Sequence, residues 1–144
     1  MPRSFTADDR ERIRKAILEA EQMTSGEVRV FFEPKSNTDN PYERALQVFA
    51  KLEMHKTQQR NAVLFYFAYD SHQFALVGDE GIYRRLPPTF WDDVLETCLS
   101  FFKEKHYVEG LERGIAEVGK QLKEHFPYNR DDKNELPDDI ILHE

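Results

Sequence analysis

Two adjacent carboxylates, Asp79 and Glu80, stand between Gly78 and Gly81 at the end of the apolar run Phe74 to Val77. Two other polar clusters resemble this one in size. Thr24-Ser25-Gly26-Glu27 precedes an apolar stretch, and Arg60-Asn61 precedes another. Glu27, Asp79 and Glu80 offer carboxylate oxygens, Asn61 an amide oxygen, and the turns offer carbonyls. Hard oxygen donors of this kind suit Ca²⁺ or Mg²⁺ and not Zn²⁺. A divalent cation would also relieve the repulsion among crowded carboxylates. A purely structural account stays open beside it. In it Asp79 caps a helical turn, Glu27 pairs with Arg60, and Thr24 to Gly26 end a helix.

Other chemistries lack the necessary residues. The histidines at 55, 72, 106, 125 and 143 show no metal-ligand spacing. The single cysteine, Cys98, lies on an apolar helical face, so it reads as core and permits no internal disulfide. No nucleophile elbow, phosphate-binding loop or dinucleotide fingerprint is present, and the Gly78–Gly81 stretch lacks the alternate acidic positions of an EF-hand.

The elements that must position these groups follow from periodicity. Thr6 or Asp8 caps a first helix carrying Ile13, Ile17 and Ala20 on one face, with a stop expected near Gly26. Val28, Val30 and Phe32 alternate with Arg29 and Glu33 as a half-buried strand. A polar loop leads to a helix with a stripe of Tyr42, Ala45, Leu46, Phe49 and Leu52. Ala62 to Ala68 is apolar throughout, the mark of a strand covered on both faces, and Phe74 to Val77 returns as a hairpin. A short helical turn precedes Pro87-Pro88. Two helices follow. The first buries Trp91, Val94, Leu95, Cys98, Leu99 and Phe102, and the second Val108, Leu111, Ile115, Val118 and Leu122. Three glycines in the last helix cost stability and permit close packing.

The order αβαββαα predicts an α/β fold: a three-layer α/β/α sandwich around a small mixed sheet, with a right-handed parallel crossover and one antiparallel return strand. In that topology the starts of the first two strands and the end of the third share one end of the sheet. Neighbouring strands lie about 4.8 Å apart, so the three clusters span roughly 10 Å and can share one ligand. The glycines at 26, 78 and 81 are expected to allow tight turns around an ion. Residues 1–129 form the domain, and 130–144 an acidic tail. That tail is either disordered or a strap bringing Asn134, Glu135, Asp138 and Asp139 to the cation.

The chain has 144 residues, a net charge of −7 and eleven Phe, enough for one domain with a real core. The acidic balance argues against nucleic acid as a partner. No stretch is apolar enough to span a membrane, and the first residues lack a secretory signal, so a cytoplasmic protein without membrane association is expected.

The segments AILEAEQMTSGEVRV, RNAVLFYF, FALVGDEGI, GLERGIAEVGKQLKEHFP and NELPDD, in this order from about residue 9 to 139, resemble the TPM domain family. The likeness is to its small soluble bacterial members, which are relatives of thylakoid-lumen photosystem II repair proteins. The resemblance implies an α/β/α sandwich, binding of divalent cations, chiefly Ca²⁺, and the acid phosphatase activity proposed for plant members; in that activity a metal would polarise a phosphoryl oxygen, with Asp79 as nucleophile or base and Arg60 clamping the phosphate. Its motif positions fall on Thr24, Gly26, Glu27, Arg60, Asn61, Gly78, Asp79 and Gly81. Many members carry a signal peptide, a membrane helix or a Gly-rich tail. The sequence here shows none of these, which counts against a role at a membrane or in photosystem repair. A scaffold that binds a protein partner without metal is the third reading.

Overall fold

Thr6 opens the first helix with a reciprocal cap: its hydroxyl accepts from the Asp9 N–H, and the Asp9 carboxylate accepts from the Thr6 N–H. The computed structural model describes residues 5–127 and the backbone of residues 140–142. The elements are α1 (Ala7–Glu21), β1 (Glu27–Glu33), α2 (Pro41–Lys51), β2 (Ala62–Ala68), β3 (Gln73–Gly78), α3 (Glu80–Tyr83), α4 (Pro88–Lys103), α5 (Tyr107–His125) and β4 (Ile140–Leu142).

The strands form one mixed sheet in the order β3-β2-β1-β4. β1 and β2 are parallel, β3 returns antiparallel to β2, and β4 runs parallel to β1. Alternation along the strands sends side chains into two cores. Val28, Val30, Phe32, Val63, Phe65, Phe67, Phe74 and Leu76 meet apolar residues of α1, α4 and α5. Phe31, Leu64, Tyr66, Ala75 and Val77 meet Ala45, Val48 and Phe49 of α2. The three layers are therefore α1/α4/α5, sheet, and α2, the α/β/α sandwich that the element order predicts.

Several local expectations need correction. α1 stops at Glu21 and not near Gly26, because Met23 takes a left-handed φ of 65° and Thr24 bridges to Pro127. β1 is buried along its whole length, Arg29 and Glu33 included, so it is not half-solvated. Each of these charges sits beside a partner. Arg29 Nη1 is 3.4 Å from Glu21 Oε2, and Arg44 grips Glu33 at 2.7 and 2.8 Å. Tyr42, Leu46 and Leu99 are exposed, since each lies on the flank of its helix and not on the face toward the sheet. The Gly residues of α5 do allow close approach: a Cβ on Gly119 would meet Cβ and Cα of Ala20, and one on Gly114 would meet Cys98 Sγ. No helix among the described residues is long and apolar enough to cross a membrane.

Candidate functional site at one end of the sheet

The register gathers the three polar clusters. Glu27 is paired with Ala62, and the Asp79 N–H donates to the Ala62 carbonyl at 2.9 Å. Glu27, Ala62 and Asp79 thus form one row across β1, β2 and the end of β3, spanning roughly 10 Å. The Glu27 N–H reaches the Asn61 carbonyl at 3.5 Å. By alternation Glu27 and Asp79 both follow the α2 side of the sheet, as Phe31 and Val77 do.

Each of the two buried carboxylates faces its own arginine. Asp79 is 6% exposed, and Arg60 holds it as a fork, Nε to Oδ2 at 2.7 Å and Nη2 to Oδ1 at 2.9 Å. Asp79 also caps α3, accepting from the Glu80 N–H at 2.8 Å. Arg60 Nη1 then reaches Glu80 Oε1 at 3.2 Å, and Glu80 lies in solvent beside Arg84 at 3.5 Å. The hydrogen bond to Asp79 raises the Arg60 pKa above its ordinary value, so the guanidinium stays charged. Glu27 is 3% exposed and lies 3.7 Å from Arg29 Nη2, not beside Arg60.

Asn61 is buried and donates through Nδ2 to Ser25 Oγ at 3.2 Å, tying the start of β2 to the turn before β1. The buried Thr24 hydroxyl accepts from the Gly26 N–H at 3.1 Å and bonds to the carbonyls at the end of α5, Phe126 and Leu122. Thr24 is therefore a clasp between the start of β1 and α5, and not a ligand-facing group.

None of the glycines takes a positive φ, and each packs closely against a neighbour. A Cβ on Gly78 would enter the Trp91 ring, and one on Gly81 would enter the carbonyls of Gln59 and Arg60. The left-handed residue here is Arg60 itself, at φ 51°. That conformation costs a non-glycine residue roughly 1 kcal/mol, and it turns the side chain back over Asp79.

Asn134, Glu135, Asp138 and Asp139 lie outside the described residues. Arg29 is the site residue that sequence reasoning missed, and Ser25 was read only as a member of the Thr24-Ser25-Gly26-Glu27 cluster. Arg29 carried a signal, a charge inside a strand of otherwise apolar alternation; Ser25 carried none beyond its place beside Gly26.

The donor set near Arg60 is oxygen only, which fits a hard cation. Its number is small: among the described residues no group of three or more His, Cys, Asp or Glu is placed to hold one ion. Asp79 and Glu80 fit a divalent cation only if Arg60 gives up the Asp79 oxygens and water fills the remaining positions.

The three-layer sandwich and this motif-bearing sheet end define a family. A profile described as the TPM domain matches residues 3–121, and the chain belongs to that family. Among solved structures it is similar to the BA42 protein of the psychrophilic bacterium Bizionia argentinensis, with 38% identity over 96% of this chain and 94% of that one and a TM-score of 0.87. Two more distant neighbours share the fold at a TM-score of 0.66. One is the N-terminal domain of cg2496 from Corynebacterium glutamicum, 13% identical over 83% of this chain and 74% of that one. The other is the N-terminal domain of a protein from P. gingivalis, 18% identical over 87% of this chain and 82% of that one. A search of curated proteins finds no match.

Proposed function

We propose that this TPM domain binds a divalent cation, Ca²⁺ or Mg²⁺, at the Asp79 end of the sheet, with Arg60 as the built-in competitor. The observation that carries the reading is the mismatch within one ion pair: the carboxylate is buried, while its counter-charge belongs to a side chain 40% exposed. A buried carboxylate demands a cation, and the one supplied can swing into solvent. Glu80, already within reach of the same guanidinium, adds the second carboxylate.

Thermal unfolding in Ca²⁺, in Mg²⁺ and in chelator tests this, with calorimetric titration. A cation at a hundred times its dissociation constant stabilises by about 2.7 kcal/mol, or roughly 5–10 °C for a chain of this size. Arg60→Gln is expected to tighten binding, and Asp79→Asn to abolish it. A melting temperature indifferent to all three conditions would remove the proposal. The phosphatase alternative gains no specific support, because its nucleophile Asp79 and its phosphate clamp Arg60 are engaged with each other.

A further inference from the structure

β3 is an outer strand, and among the described residues no strand pairs with its far edge. Antiparallel pairing alternates hydrogen-bonded and non-hydrogen-bonded partners. Because the Asp79 N–H bonds to Ala62, the register turns the backbone groups of Val77, Ala75 and Gln73 toward β2. Those of Phe74, Leu76 and Gly78 point outward. Such an edge is a template for another strand unless charge, proline or a bulge guards it. The strand QFALVG has none of these, and its register with β2 is unbroken.

The flanks of the edge are apolar on both layers. Tyr42 and Leu46 of α2 are 47% and 43% exposed, and Leu99 of α4 is 44% exposed. Tyr42, Leu76, Gly78 and Leu95 share a groove of about 290 Å³, and Leu99 lines a second groove; both grooves include Phe74. Apolar surface gathered along an unpaired strand marks an interaction site.

Charge then selects the occupant. α4 runs antiparallel to β3, with Trp91 against Gly78 at one end and Phe102 5.0 Å from Phe74 at the other. Asp92 lines the Gly78 end of the edge, and His72 and Lys103 line the Phe74 end. The edge is thus negative at one end and positive at the other. The midpoint between Asp92 and Lys103 falls at residues 97–98 of α4, beside the midpoint of Phe74 and Gly78, which is Leu76. A two-fold axis at Leu76 superposes both patterns. It pairs Phe74 with the partner's Gly78 and Leu76 with the partner's Leu76, so every outward backbone group finds a partner. The same axis sets Asp92 against the partner's Lys103 and Leu95 against the partner's Leu99.

We propose that β3 is the seam of a homodimer, in which two copies of this chain join edge to edge into one continuous antiparallel sheet. Sedimentation velocity of the full chain over a concentration series reads the association. Dimerisation is expected, weakened about tenfold or more by Lys103→Glu and by Asp92→Lys singly, and restored in the double variant that swaps the two charges. Both side chains lie in solvent on α4, and circular dichroism confirms that the variants fold. A chain that stays monomeric up to about 1 mM overturns the proposal. A dimer indifferent to both reversals, or a monomer that instead captures an added strand-forming peptide, overturns it equally.

Discussion

The Tyr66 hydroxyl donates to the Glu33 carboxylate, at the opposite end of the sheet from Asp79. Arg44 grips the same carboxylate with two hydrogen bonds. Burial first, and then the bond to Glu33, raise the Tyr66 pKa well above its ordinary value. A folded-state pKa raised above the unfolded one gives stability that is complete below about pH 10 and falls as pH rises past it. Alkaline unfolding followed by circular dichroism should therefore begin near that pH. Tyr66→Phe should flatten this limb while costing about 1–3 kcal/mol at neutral pH, since a hydrogen bond to a charged group is lost. An unchanged alkaline limb would remove Tyr66 as its cause.

Asp79→Ala and Asp79→Asn separate two roles of one side chain. Asparagine keeps an oxygen for the Glu80 N–H and loses the charge that holds Arg60; alanine loses both. The exposed guanidinium makes the ion pair worth little after screening. Most of the loss in Asp79→Ala should come from the cap, about 1 kcal/mol, with Asp79→Asn milder. Urea denaturation of both variants measures the difference.

Gly119→Ala sets helix propensity against packing. Alanine gains about 1 kcal/mol in a helix interior. Here its methyl would meet the Ala20 backbone as well as its Cβ, so α1 and α5 must part. Overpacking of this kind costs about 1–3 kcal/mol, and the net change should be destabilising. A rise in the melting temperature would show that the α1–α5 contact yields easily.

Cys98 should resist modification in the native chain. It is fully buried, its Sγ faces the Gly110 carbonyl at 3.4 Å, and burial pushes its pKa up to about 12. The thiolate is the reactive form. Iodoacetamide at pH 8 should label the native protein at least about a hundredfold more slowly than the denatured one, read by mass spectrometry. Equal rates would mean that α4 opens readily.

How much of this was legible in the sequence depends on the kind of signal. Ile13, Ile17, Val94, Ile115 and Leu122 repeat at helical spacing and are buried, because periodicity records the face that a helix turns inward. Leu99 shares the spacing and is exposed, because periodicity cannot tell the face that meets the sheet from the flank beside an open edge. Arg29 read as a solvent position because alternation assumes that one face of the strand is wet; here Glu21 and Glu27 lie beside it inside the fold. The convergence of Glu27, Asn61 and Asp79 followed from strand order alone. The partner of each carboxylate did not, since a left-handed Arg60 decides which acid it reaches. Ile140–Leu142 offered too few residues for any period to appear.

That short last strand has a bearing on biosynthesis. β1 lies near the amino end of the chain, yet one of its two neighbours is β4. A nascent chain can assemble α1 through α5 around three strands, but one side of β1 must wait until translation has passed Leu142. Until then that rim is open to any other extended polypeptide, so the interval before the last strand docks is when this domain most needs a chaperone's shelter.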